Sequence, residues 1–69
     1  MNRTPVASSD IVEIGYDADS MTLEIAFHTG GVYQYFDFPE TVHQDFMRAE
    51  SKGKFFHANI KNHYRCAKL

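Results

Sequence analysis

The clearest pattern in the chain is the alternation of Met21, Leu23, Ile25 and Phe27 with Thr22, Glu24, Ala26 and His28. A period of two predicts a strand with one buried face. Upstream, Ile11-Val12-Glu13-Ile14-Gly15-Tyr16 is rich in β-branched residues and predicts a second strand, with Val12, Ile14 and Tyr16 on one face and Ile11 opposite. Asp17-Ala18-Asp19-Ser20 between them is turn composition. Downstream, Val32 to Phe38 predicts a third strand, and Thr29-Gly30-Gly31 supplies residues that tolerate positive φ in a hairpin. Register decides where the tyrosines go. A three-residue loop, His28-Thr29-Gly30, sets Phe27 opposite Gly31, Ile25 opposite Tyr33 and Leu23 opposite Tyr35. A two-residue loop turns Tyr33 and Tyr35 to the outer face with Glu24 and Ala26. The first is preferred, because it gives the aliphatic face aromatic partners.

The period then changes. Pro39 and Glu40 suit a helix start, and Val42, Phe46 and Ala49 recur at helical spacing. Ser51-Lys52-Gly53 ends or offsets this helix, and Ser51 is placed to cap a second one through Phe55, Phe56 and Ile60. The tail from Asn62 to Leu69 reads either as a short C-terminal strand or as an extended arm. The predicted fold is α+β: a three-stranded antiparallel β-meander followed by one or two helices packed on one face. Residues 1–8 read as a flexible polar arm and residues 9–69 as a single domain.

Size and composition sharpen this picture. A chain of 69 residues and 7.9 kDa supports one core, worth about 3–5 kcal/mol net. A single cysteine, Cys66, excludes an internal disulfide framework. The net charge of −2 conceals a division. From Met1 to Met47, Arg3 stands against eight acids, Asp10, Glu13, Asp17, Asp19, Glu24, Asp37, Glu40 and Asp45, giving −7. From Arg48 to Leu69, Arg48, Lys52, Lys54, Lys61, Arg65 and Lys68 stand against Glu50 alone, giving +5. This asymmetry points to an anionic partner or to pairing between the halves. No apolar run is long enough for a membrane span and no leader is visible, so the expected compartment is the cytoplasm.

Catalytic and metal chemistry find little support. His28, His43, His57 and His63 lack the spacing of a zinc site, and no cofactor motif is present. Asp17-Ala18-Asp19-Ser20 fails as a calcium loop, because Thr22 and His28 occupy its glycine and glutamate positions. His63 and Cys66 would be neighbours on a helix, but no orienting group or oxyanion site accompanies them. Binding is the stronger expectation. Arg48, Lys52, Lys54, Lys61 and Arg65 are candidate phosphate contacts. Tyr33, Tyr35 and Tyr64 are candidate stacking residues, competing with a place in the core.

The order Ser8-Ser9, Ile14-Gly15-Tyr16-Asp17, Thr22-Leu23-Glu24-Ile25, Val32-Tyr33-Gln34-Tyr35, Pro39, Ser51-Lys52-Gly53-Lys54-Phe55-Phe56, Ala58-Asn59-Ile60 and Tyr64 resembles the KTSC domain. That family takes its name from the C-terminus of some lysyl-tRNA synthetases and also occurs as small bacterial and phage proteins. The resemblance supplies no catalytic residues. Where many relatives carry Tyr-Phe, this chain has Phe55-Phe56, without the first hydroxyl. The family has no established activity to carry over; the basic, aromatic-interleaved C-terminal half predicts a nucleic-acid-binding module without enzymatic activity, and the synthetase context of the resemblance suggests RNA rather than DNA. The alternative is a self-associating interaction module, a homo-oligomer framing a pocket for a small anionic ligand such as a nucleotide.

Overall fold

A computed structural model describes all residues, Met1–Leu69. Five strands form one antiparallel sheet in sequential order: β1 (Arg3–Pro5), β2 (Ile11–Asp17), β3 (Thr22–Phe27), β4 (Val32–Tyr35) and β5 (Cys66–Lys68). Between β4 and β5 lie α1 (Glu40–Arg48), α2 (Lys52–Phe55) and a π-helical turn, Phe56–Ile60. The domain is therefore α+β, with two more strands than the predicted meander.

The central hairpin has the preferred register. Ile25 faces Tyr33 and Leu23 faces Tyr35. Phe27 N donates to Gly31 O at 3.2 Å, and Gly30 N donates to Phe27 O at 3.0 Å. Gly30 and Gly31 lie at φ 94° and 97°, where a side chain would be strained. The turn before β3 also follows its composition: Asp17 Oδ1 accepts from Asp19 N at 3.1 Å, and Asp17 Oδ2 from the Ser20 hydroxyl at 2.9 Å.

Three expectations need correction. First, β2 contains a bulge between Ile11 and Glu13. The extra residue turns Val12 outward and Ile11 into the core, reversing the predicted faces of those two, while Ile14 stays on the buried face. Secondly, the expected arm at residues 1–8 carries β1. Its anchor is the Arg3 guanidinium, 3.3 Å from Glu13 and 3.4 Å from Glu24. Gly15 makes room for it, since a Cβ there would lie 2.8 Å from Asn2 O and 2.9 Å from Arg3 Cγ. Thirdly, Ser51 caps α2, its hydroxyl accepting from Lys54 N at 3.1 Å, but the following turn is π-helical.

The core lies between the inner sheet face and the helices. Ile11, Ile14, Leu23 and Ile25 meet Phe38, Phe46, Phe56 and Ile60, with Tyr35 at the margin. Phe46 stacks on Phe55 at 5.3 Å, joining α1 to α2. The outer face carries a polar row instead. Gln34 Nε2 donates to Glu24 Oε1 at 2.9 Å, and Arg3 takes the other Glu24 oxygen.

Candidate functional site

The tip of the β3–β4 hairpin, the end of the π-helical turn and the start of β5 enclose a cleft of about 320 Å³. Its walls are aromatic: Phe27 and Tyr33 from the hairpin, Tyr35 from β4 and Phe56 from the helical layer. Its polar lining comes from Thr29, Lys61 and Asn62, with Cys66 at the β5 end. The π-helical turn matters here. Lys61 N donates back to Phe56 O at 2.8 Å, and the turn ends with Asn62 at φ 66°. This abrupt stop sets Lys61 and Asn62 in the lining of the cleft rather than along a continuing helix.

Within the wall, Phe27 meets Tyr33 edge to face at 5.7 Å and Phe56 at 5.3 Å, and Tyr35 meets Phe56 the same way at 5.9 Å. None of these pairs is stacked face to face. Lys68 Nζ lies 6.0 Å from the Tyr33 centroid, adding a second cation near the cleft. A smaller recess of about 180 Å³ continues past Phe27, Thr29 and Phe56 to Asp10 and His57. The Asp10 carboxylate makes that side unfavourable for an anion and leaves the Lys61 side as the electropositive one.

Tyr35 is 5% exposed. Burial pushes its hydroxyl pKa up to about 12, with neighbouring Cys66 and Tyr33 adding to the rise. The hydroxyl is thus a persistent donor across the neutral range. At the other end of the same inner face, Tyr16 stacks on His43 at 4.5 Å and donates to Phe38 O. Burial lowers the His43 pKa, opposed in part by the Glu40 carboxylate.

The candidate residues are divided by the fold. Tyr33, Tyr35 and Lys61 come together in the cleft. Tyr64 instead packs on Phe38 at 4.6 Å. Arg48 reaches Asp45 at 3.9 Å, and Lys52 Nζ donates to Ala49 O. Arg65 pairs with Asp37 at 2.7 Å and covers Phe36 at 5.8 Å. Lys54 is exposed on α2. Sequence reasoning did not place Phe27, Thr29, Asn62 or Cys66 at a site. Only the return of β5 to β4 reveals that grouping, and no spacing in the sequence encodes it. His63 lies in a turn and Cys66 in a strand, so their helical neighbourhood does not form. Nowhere do three or more His, Cys, Asp or Glu side chains gather to hold a metal ion. No helix is long and apolar enough to cross a membrane.

These features define a small α+β domain in which a returning edge strand completes an aromatic cleft rimmed by lysines. The chain belongs to the KTSC domain family, whose model matches residues 7–64. The crystal structure of a KTSC domain protein from Yersinia pestis superposes with a TM-score of 0.97 at 51% identity, covering 99% of this chain and 96% of that one. A small protein from Tsukamurella paurometabola is 37% identical over 65 residues, 94% of this chain and 97% of its own length. A lysine–tRNA ligase from Trichormus variabilis is 39% identical over 61 residues, 88% of this chain. The matched segment is only 11% of that ligase's length.

Proposed function

We propose that this domain is an RNA-binding module without catalytic activity, acting in the cytoplasm. The observation that carries the reading is the cleft in which Tyr33, Tyr35 and Lys61 converge. Unstacked bases of single-stranded RNA are bound by aromatic surfaces, and phosphates by cations. Lys54, Lys61 and Lys68, together with the more engaged Arg48, Lys52 and Arg65, supply the phosphate contacts. The lysine–tRNA ligase relative supports RNA over DNA, because a domain 39% identical to this one is carried by a protein named for a tRNA.

Filter binding to tRNA and to single-stranded RNA across a salt series tests this. Affinity should fall as salt rises, with a log–log slope of about −0.7 for each phosphate contacted on a single strand. Lys61→Ala should weaken binding and make that slope shallower. No binding at low salt, or binding indifferent to salt, overturns the reading.

A second reading, self-association, draws on the β5 edge. All three β5 residues are exposed. Arg65 O and Leu69 N bond to β4, and Ala67 pairs with Gln34. The intervening backbone groups of Cys66 and Lys68 therefore point outward. At the opposite edge, Pro5 removes a donor and discourages pairing. Light scattering across a concentration series decides this reading, and a strict monomer counts against it.

A further inference from the structure

The four tyrosines use their hydroxyls differently. Within the chain only the Tyr16 hydroxyl is hydrogen-bonded, to Phe38 O. Every buried side-chain nitrogen or oxygen that is fully sealed from solvent has a partner. Tyr35 is a core residue, 5% exposed, whose hydroxyl has none. That oxygen therefore keeps some access to solvent, on a residue that lines the cleft. A donor held on a buried ring, without an internal partner, is placed to receive a hydrogen bond from outside the chain.

The rest of the cleft limits what the ligand can be. Its volume of about 320 Å³ suits one compact molecule rather than a folded segment. Tyr35 and Phe56 are buried, and the rings meet edge to face, so the surface left to a planar group is that of half-buried Phe27 and Tyr33. The polar end presents the Lys61 ammonium, the Asn62 amide and the Thr29 hydroxyl, with Lys68 nearby over Tyr33. Asp10 borders the adjoining recess and repels an anion from that direction. A planar heterocycle joined to a single anionic group matches this distribution.

We propose that the cleft is a binding site for one nucleoside monophosphate unit, with the base against the Phe27 and Tyr33 rings, the phosphate at Lys61, and a hydrogen bond to the Tyr35 hydroxyl. The unit is either a free mononucleotide or the unstacked residue of a single strand. The assignment deepens the RNA-binding reading but takes its ligand class from the cleft itself. One chain supplies the whole site, so binding does not require a second copy.

Titration of isotope-labelled protein with AMP, GMP, CMP and UMP, followed by amide NMR, tests the site directly. Ribose 5-phosphate and inorganic phosphate serve as probes lacking the base. At least one nucleotide should give saturable shifts at Thr29–Tyr35 and Lys61–Cys66, with the base-free probes weaker. Tyr35→Phe should weaken binding about fivefold, the loss of one hydrogen bond, while the melting midpoint stays unchanged. Lys61→Ala should weaken it more at low salt, and Gln44→Ala, at an exposed position on α1, should leave it unaltered. A parallel titration with a short single-stranded oligonucleotide separates the two sources. Stronger binding with the same shifts identifies a strand residue, and equal or weaker binding identifies the free nucleotide. The absence of saturable shifts up to about 10 mM nucleotide, shifts elsewhere, or indifference to both cleft variants overturns the site. RNA binding without nucleotide in the cleft would overturn this inference alone. Nucleotide binding without RNA binding would overturn the RNA reading alone.

Discussion

Tyr16 and Tyr35 stand at two ends of one cross-strand row, each paired with Leu23 between them. At the Tyr16 end the polar groups are used internally. Its hydroxyl reaches the Phe38 carbonyl and its ring is covered by His43. At the Tyr35 end the hydroxyl has no internal partner, the Phe27 and Tyr33 rings stay half-exposed, and Lys61 lines the same cleft. The two residues have the same chemistry and sheet face but different surroundings. The difference shows that folding accounts for the first hydroxyl and not for the second.

The largest perturbation strikes what both ends share. Leu23→Ala removes a fully buried side chain from the centre of the row. It should cost about 2–5 kcal/mol, comparable with the whole net stability of a domain this small, about 3–5 kcal/mol. Guanidinium unfolding should show most of the transition lost, with both ends disrupted together. If nucleotide-dependent shifts at the cleft survived in this variant, the row would not couple the two regions.

Leu23 also marks the part of the fold that was legible in the sequence. Its strand alternates cleanly, and Gly30-Gly31 set the register that brought Tyr33 and Tyr35 inward. The outer strands carry no such alternation, and the tail reads only as either a short strand or an extended arm. Strand β1 is held by Arg3 reaching Glu13 and Glu24 across a space left by Gly15, a relation between distant polar residues. Strand β5, Cys66-Ala67-Lys68, has no alternating apolar face and is fixed by backbone pairing to β4. The site was legible to a similar depth. Tyr33, Tyr35 and Lys61 stood out by type, but Thr29, Asn62 and Cys66 gained meaning only when β5 closed the cleft. The charge division gave a direction rather than a surface. Arg48 and Arg65 are engaged by acids from the other half of the chain, Asp45 and Asp37, and Lys61 is the member of the basic set that lines the cleft.

A smaller effect tests the closed end alone. Tyr16→Phe keeps the ring on Phe38 and His43 but leaves the Phe38 carbonyl without its donor. The expected loss is about 1 kcal/mol, measured as a lower denaturation midpoint with an unchanged slope. Binding at the cleft should not change. A loss of affinity in this variant would show that the closed end serves the site.

Acid acts on the same end. Burial lowers the His43 pKa below the ordinary value of about 6.5. The unfolded chain therefore takes up this proton first. The contribution to stability is complete above about pH 6.5 and declines as pH falls through the window down to the lowered folded value. Melting midpoints between about pH 7.5 and 5 should fall for the wild type. His43→Gln should flatten that part of the profile. An identical profile in this variant would place the acid sensitivity elsewhere.

The smallest expected change in stability is at Tyr35 itself. Tyr35→Phe retains the ring that packs on Phe56 and deletes a hydroxyl that no group in the chain accepts or donates to. Removing an unpartnered polar atom at the edge of a core should alter stability by less than about 0.5 kcal/mol. At high pH the substitution should become favourable. The raised pKa, about 12, means that folding opposes ionisation of this tyrosine. The contribution of this tyrosine is then complete below the unfolded value of about 10 and is lost as pH rises from there towards 12. Phenylalanine has no proton to lose, so the variant should hold its melting midpoint further into that range. A clear loss of stability at neutral pH would mean that the hydroxyl is held by the fold after all, and the contrast with Tyr16 would disappear. Neutral stability joined to weakened nucleotide binding is the outcome that separates a residue kept for its ligand from one kept for its packing.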